Sequence, residues 1–105
     1  VHVQGENLFF DYALGIPASV LSWWDLVPKG PSLQWVKEII PGCLMGGIDQ
    51  TSVCRRTPEF LKQHVAEAIR MGGRTRFLLA GGCSIKTWVY PESVRTIVAA
   101  ARKGR

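Results

Sequence analysis

Cys43-Leu44-Met45-Gly46-Gly47-Ile48-Asp49 is an apolar run that dissolves into glycine, and Thr57-Pro58-Glu59 opens the helical pattern that follows it. A short apolar run bounded by turn residues reads as a strand buried on both faces, the habit of parallel sheets. Thr57 is placed to cap the helix, Pro58 takes its first position, and Glu59 suits the positive end of its dipole. Leu61, Val65, Ala68 and Ile69 then recur on one side until Gly72-Gly73 supply a stop. One strand, a loop and one helix form the unit from which the rest is read.

The same unit recurs on either side. Val1-His2-Val3-Gln4-Gly5 reads as the end of a strand closed by glycine. Glu6 to Leu14 follows as a short helix with Leu8, Phe9, Tyr12 and Ala13 on its apolar stripe, broken by Gly15-Ile16-Pro17. Ala18 to Trp23 is a second strand. After the loop Pro28-Lys29-Gly30-Pro31, Ser32 is an N-cap, and Leu33, Val36, Ile39 and Ile40 recur at helical spacing up to Pro41-Gly42. Arg76 to Ala80 is a fourth strand, closed by Gly81-Gly82-Cys83. Pro91-Glu92 opens a last helix with Val94, Ile97, Val98 and Ala101 on its buried side and Arg102, Lys103 and Arg105 at its negative end. Four strands alternating with four helices predict an α/β fold with a parallel sheet and right-handed crossovers. Such a set is half of a (β/α)8 barrel, which takes about 250 residues; a small open α/β sheet is the competing architecture.

The chain has 105 residues, 47% hydrophobic and 20% charged, which excludes a disordered, collagenous or coiled-coil protein and leaves room for one domain over residues 1–105. It does not begin with Met, and Val1 runs straight into strand-like residues, so a piece of a longer protein is expected. Neither an apolar run of membrane length nor a signal segment is visible. Cys43, Cys54 and Cys83 are odd in number and include no Cys-x-x-Cys, which predicts free thiols in a reducing cytoplasm. The net charge of +5 is unevenly spread: residues 1–50 carry two basic and five acidic side chains, net −3, and residues 51–105 carry eleven and three, net +8. A basic half suits an acidic small molecule; no stacking platform or recognition helix accompanies it, so neither nucleic acid nor a membrane is expected as a partner.

Val20-Leu21-Ser22-Trp23, Gly46-Gly47-Ile48-Asp49, Thr57-Pro58-Glu59, Leu79-Ala80-Gly81-Gly82-Cys83 and Pro91-Glu92-Ser93-Val94, in that order, resemble the C-terminal half of the uroporphyrinogen decarboxylase superfamily over nearly the whole chain. The resemblance implies a (β/α)8 barrel to which this chain gives strands five to eight, and tetrapyrrole decarboxylation as the activity. It also implies that the catalytic Asp and the substrate-binding Arg residues lie in the other half, so the chain is expected to be inactive alone. The family's late active-site His follows a glycine near the eighth strand; Gly82 stands at that position here. A second branch, the corrinoid-linked zinc methyltransferases, uses a His-x-Cys early in this half and a Cys at the eighth strand. His2 and Cys83 match two of those ligands, and Gln4 stands where the middle Cys belongs. The resemblance therefore implies no cofactor on the decarboxylase side and zinc on the other.

Several residues are candidates for a site at the C-terminal ends of the strands, where barrel enzymes place their chemistry. His2 and Cys83 serve there as metal or substrate contacts, or else cap a frayed end and fill space. Asp49 follows two glycines and either holds a ligand or stabilises its own turn. Trp23, with Ser22, Trp24 and Asp25 at the end of the second strand, walls an apolar pocket or fills the core. Arg55 and Arg56 precede the helix at Pro58 and suit a polycarboxylate as paired guanidiniums, or are simply surface residues. Gly82 is a candidate substrate contact, with Gly81 in the form of a phosphate cradle but without the Lys-Ser or Lys-Thr that continues such loops, whereas His64 reads as structural. Three outcomes follow: half of a decarboxylase-like enzyme that binds a tetrapyrrole, a zinc methyltransferase fragment, or a non-catalytic half-barrel that pairs with a missing N-terminal half or with itself through its open sheet edges.

Overall fold

The computed structural model describes residues 1–4, 10–28 and 30–104. Strands β1 (His2–Val3), β2 (Val20–Trp23), β3 (Cys43–Ile48) and β4 (Phe77–Gly81) alternate with helices α1 (Phe10–Leu14), α2 (Leu33–Ile39), α3 (Pro58–Gly72) and α4 (Pro91–Lys103). The strands form one sheet in the order β1-β2-β3-β4, every neighbouring pair parallel. An open doubly wound sheet reverses its strand order part-way and so carries helices on both faces. Here the order never reverses, and with crossovers of one hand all the helices fall on one side. This is the architecture of half a (β/α)8 barrel, and the open-sheet alternative is set aside.

Local chemistry explains where the helices begin. The Ser32 hydroxyl accepts the Trp35 N–H at 3.2 Å, and the Thr57 hydroxyl accepts that of Phe60 at 3.2 Å. Each satisfies a donor that the first turn leaves open. Pro58 and Pro91 take early helical positions where no N–H is needed.

The core lies between sheet and helices in two clusters. Phe10, Ala13, Leu21, Trp23, Leu33, Val36 and Leu44 form the first; Ile48, Val53 and Val65 form the second, with Ile97, Ala100 and Ala101 packed against it. The side chains of register partners share a face of the sheet, so His2, Ser22, Met45 and Leu78 make one row on the face away from the helices. That face is the lumen side of a barrel.

Several expectations are corrected. Tyr12 is exposed, and Phe10 with Ala13 supplies the buried side of α1; the expected residues Glu6, Leu8 and Phe9 lie outside the described residues, as does Gly5. Ile39 is exposed because α2 presents Leu33 and Val36 to the core. Val94 and Val98 are 38% and 43% exposed, and α4 buries no residue fully. Helix α4 packs on α3 along one side only, so the apolar stripe that periodicity reveals is half uncovered.

Two backbone positions have left-handed conformations of consequence. Gly47, inside β3, has φ 99°, which glycine adopts without steric cost. Arg76 has φ 55°, uncommon for a side-chain-bearing residue. Its guanidinium donates to the carbonyls of Ile40 and Gly42 at 3.0 and 3.2 Å, tying the start of β4 to the corner between α2 and β3.

Candidate active site at the strand ends

Four chain segments lie at or just past the C-terminal ends of the strands: His2 to Gln4, Trp24 and Asp25, Asp49 and Gln50, and Gly81 to Ser84. On the lumen face the first and last of these border a cleft of about 570 Å³ lined by Val1, His2, Gln4, Val20, Ser22, Met45, Gly81, Cys83 and Ser84; Trp24, Asp25, Asp49 and Gln50 are outside its lining. Its lining mixes apolar side chains (Val1, Val20, Met45) with polar ones (His2, Gln4, Ser22, Cys83, Ser84). His2 Nδ1 lies 3.0 Å from the Ser22 hydroxyl, so β2 orients the imidazole from beside it. Parallel strands thus bring His2, from the first unit, and Cys83, from the last, to one cavity. All three thiols are free.

Other candidate residues are placed differently. Trp23 has no exposed surface: its indole N–H donates to the Pro31 carbonyl at 2.9 Å, and its ring meets Phe10 edge-on with centroids 5.0 Å apart. It is core, and the pocket-wall reading is corrected. Gly82 is buried and does not line the cleft. A Cβ there would lie 2.9 Å from Trp24 Cα and 3.1 Å from Gln50 Oε1, so its lack of a side chain lets the β2 and β3 ends close over it. The Asp49 carboxylate accepts the backbone N–H and hydroxyl of Thr51 at 3.0 and 2.7 Å, and so holds its own turn. Arg55 and Arg56 are exposed on the loop after β3, on the cleft's end of the sheet but outside its lining, and Arg56 lies over the Phe60 ring at 4.8 Å.

His64 is structural. Its Nε2 accepts the Asp49 backbone N–H at 2.8 Å, and its ring stacks on Phe60 with centroids 5.7 Å apart. Burial holds its pKa below the usual 6.5, opposed by the Asp49 charge.

A buried polar layer beneath the strand ends is not predicted by the sequence reading. Asp25 is 4% exposed and Gln50 6%. Asp25 Oδ1 accepts the Gly47 N–H at 2.9 Å, while Asp25 Oδ2, Gln50 Oε1 and Trp24 Nε1 are buried without a hydrogen-bond partner among the described residues. Burial raises the Asp25 pKa above 3.8, the Gly47 bond opposes this, and Asp49 adds repulsion. The signal available in sequence was an acidic residue at the end of an apolar strand, between Trp24 and Leu26.

The family model for uroporphyrinogen decarboxylase matches residues 1–104. The chain belongs to the uroporphyrinogen decarboxylase family. Among curated proteins, none matches it. Membership accounts for the half-barrel and for a cleft at the C-terminal strand ends. The zinc chemistry of one branch meets a poor donor set here. Zinc favours thiolate, imidazole and carboxylate ligands, and Gln4 offers a neutral amide. Among the described residues, no three His, Cys, Asp or Glu side chains converge to hold a metal ion, and Glu6 lies outside those residues. His2 and Cys83 alone do not make a closed site. No helix among the described residues is long and apolar enough to cross a membrane.

Proposed function

We propose that this chain supplies strands five to eight of a uroporphyrinogen decarboxylase-like barrel and holds one side of an acidic tetrapyrrole, without decarboxylating it alone. The observation that carries the reading is the cleft itself, whose lining joins the apolar Val1, Val20 and Met45 to the polar His2, Gln4, Ser22, Cys83 and Ser84. A macrocycle is apolar across its face and charged at its carboxylate arms, which suits a lining of both kinds. Arg55 and Arg56, on the same end of the sheet, offer bidentate donors to carboxylates that extend beyond the cleft. The three free thiols accord with a cytoplasmic protein.

Fluorescence titration with coproporphyrin III tests this. Saturable binding is expected, weakened about tenfold when Arg55 and Arg56 are both replaced by Ala, the scale of one or two charge-assisted hydrogen bonds. Absence of binding, or binding indifferent both to that change and to Met45→Lys, overturns it. The zinc reading retains one point in its favour, the shared cleft of His2 and Cys83. Stoichiometric zinc by mass spectrometry, lost on Cys83→Ala, would put methyl transfer ahead of tetrapyrrole binding.

A further inference from the structure

Arg56, Phe60 and His64 follow one another at intervals of four residues and fall in line along one side of the start of α3. The Arg56 guanidinium lies over the Phe60 ring, 4.8 Å from its centroid. The His64 ring stacks on the same phenyl group with centroids 5.7 Å apart and planes 23° from parallel. His64 Nε2 in turn accepts the backbone N–H of Asp49, the residue that follows β3, at 2.8 Å. The ladder runs from the half-buried His64, through Phe60 at 37% exposed, to the exposed Arg56. It lies wholly within the β3–α3 unit and ties a strand end at the cleft's side of the sheet to a guanidinium in solvent.

Other arginines are spent differently. Arg70 and Arg95 are bound to Glu67 and Glu92 one turn away, at 2.8 and 3.4 Å, and Arg76 donates to the carbonyls of Ile40 and Gly42. Arg55 precedes Arg56 in the chain, and among the described residues no ring lies beneath it. Arg56 has a support and open donors together: its face rests on Phe60, and among the described residues no acceptor takes its N–H groups. Stacking uses the face of a guanidinium and leaves the donors along its edge, which match a carboxylate two at a time. A side chain already held in place also loses less freedom when it binds.

We propose that Arg56 is the principal carboxylate contact beside the cleft and that Phe60 and His64 are positioning residues that hold it there. The inference rests on the reading of an acidic tetrapyrrole as ligand, and it gives Arg55 and Arg56 unequal roles. Arg55 contributes charge, as any neighbouring cation does. Arg56 contributes a donor pair of fixed place and direction. Phe60 acts on the ligand only through Arg56, and His64 only through Phe60.

Fluorescence titration with coproporphyrin III compares the unaltered protein with its variants. Arg56→Ala is expected to weaken binding about fivefold and Arg55→Ala no more than about twofold. Phe60→Leu keeps an apolar side chain and removes the π face, and a loss of about threefold is expected. Phe60→Tyr restores the face and is expected to restore binding. His64→Gln keeps the acceptor for Asp49 and removes the backing ring, for a loss of about twofold. In the Arg56→Ala background neither Phe60→Leu nor His64→Gln has a further effect, whereas a merely structural role would persist there. Equal losses at Arg55 and Arg56, or a Phe60→Leu loss that survives in that background, overturn the proposal. Should Phe60→Leu fail to fold, nuclear magnetic resonance of the unaltered protein decides: the Arg56 side-chain protons are expected upfield through the Phe60 ring current, and ordinary arginine positions overturn the proposal. If coproporphyrin III does not bind at all, the tetrapyrrole reading falls by itself. Citrate then serves as the carboxylate probe, followed at the arginine Nε–H resonances. A larger displacement at Arg56 than at Arg55, lost in Phe60→Leu, upholds the positioned contact, and equal displacements overturn it.

Discussion

Asp25 Oδ1, just past the end of β2, accepts the backbone N–H of Gly47, inside β3, at 2.9 Å. The bond ties the end of β2 to β3, and it satisfies a buried donor that lies past the last paired residues of the two strands, Ser22 and Met45. The other carboxylate oxygen is buried without a partner among the described residues. One side chain thus secures the shape of the strand end and brings an ionisable group into low-dielectric surroundings.

Replacing Asp25 by Ala leaves the Gly47 N–H buried and unpaired, which costs about 1–3 kcal/mol in urea denaturation. Asp25→Asn keeps an acceptor oxygen at the same place and is expected to cost less. The pH dependence has a definite sign. Burial raises the folded-state pKa above 3.8, so the folded chain holds a proton that the unfolded chain has released. This contribution to stability is full below 3.8 and is lost as pH rises through the folded value. Unfolding free energies of Asp25→Asn should lack that decline; an unchanged slope would place the titration elsewhere.

His64 works in the opposite direction. Its Nε2 accepts from Asp49 only when unprotonated, and burial holds its pKa below 6.5. The unfolded chain therefore takes up a proton first as pH falls, and stability present above 6.5 drains away toward the lower folded value. Asp49 opposes the shift, so the slope is shallow. His64→Gln, which retains an acceptor without titrating, is expected to be flatter between pH 7 and 5 by urea midpoint. A midpoint that falls equally in both proteins would remove His64 from the account.

The helices were legible in sequence where their ends depend on local chemistry. Thr57-Pro58 and Ser32 fix helix starts through bonds three residues away, and the structure has those bonds. The unbroken alternation of strand and helix gave the half-barrel for a similar reason, since one-handed crossovers turn chain order into spatial order. Burial of the α4 stripe was not legible, because periodicity shows which face is apolar and not what covers it. Val94 and Val98 carry that difference. In the site, strand-end placement brought His2 and Cys83 into one cleft, as topology alone requires. Trp23 could have faced either way on the strand, and a shift of one residue separates core from lumen. Asp25 was legible only as part of a strand end and Gln50 not at all, because their meaning lies in contacts between separate strand ends, and no spacing in the sequence records those.

Gly47 offers a test in which two physical effects separate. Its φ of 99° disfavours any side chain, and a Cβ there would stand 2.8 Å from the Cβ of Ala68 on α3. The backbone effect alone is worth about 1–3 kcal/mol, and overpacking adds a similar amount. Ala68→Gly removes the obstructing methyl group at a cost of about 0.5–1 kcal/mol in the helix interior, and it cannot relieve φ. Gly47→Ala should therefore cost less in the Ala68→Gly background than in the unaltered chain, by about 1 kcal/mol or more, while remaining destabilising in both. A double-mutant cycle by urea denaturation measures this. Strictly additive costs would mean that α3 yields to the new methyl group, and that conformation alone keeps glycine at this strand end.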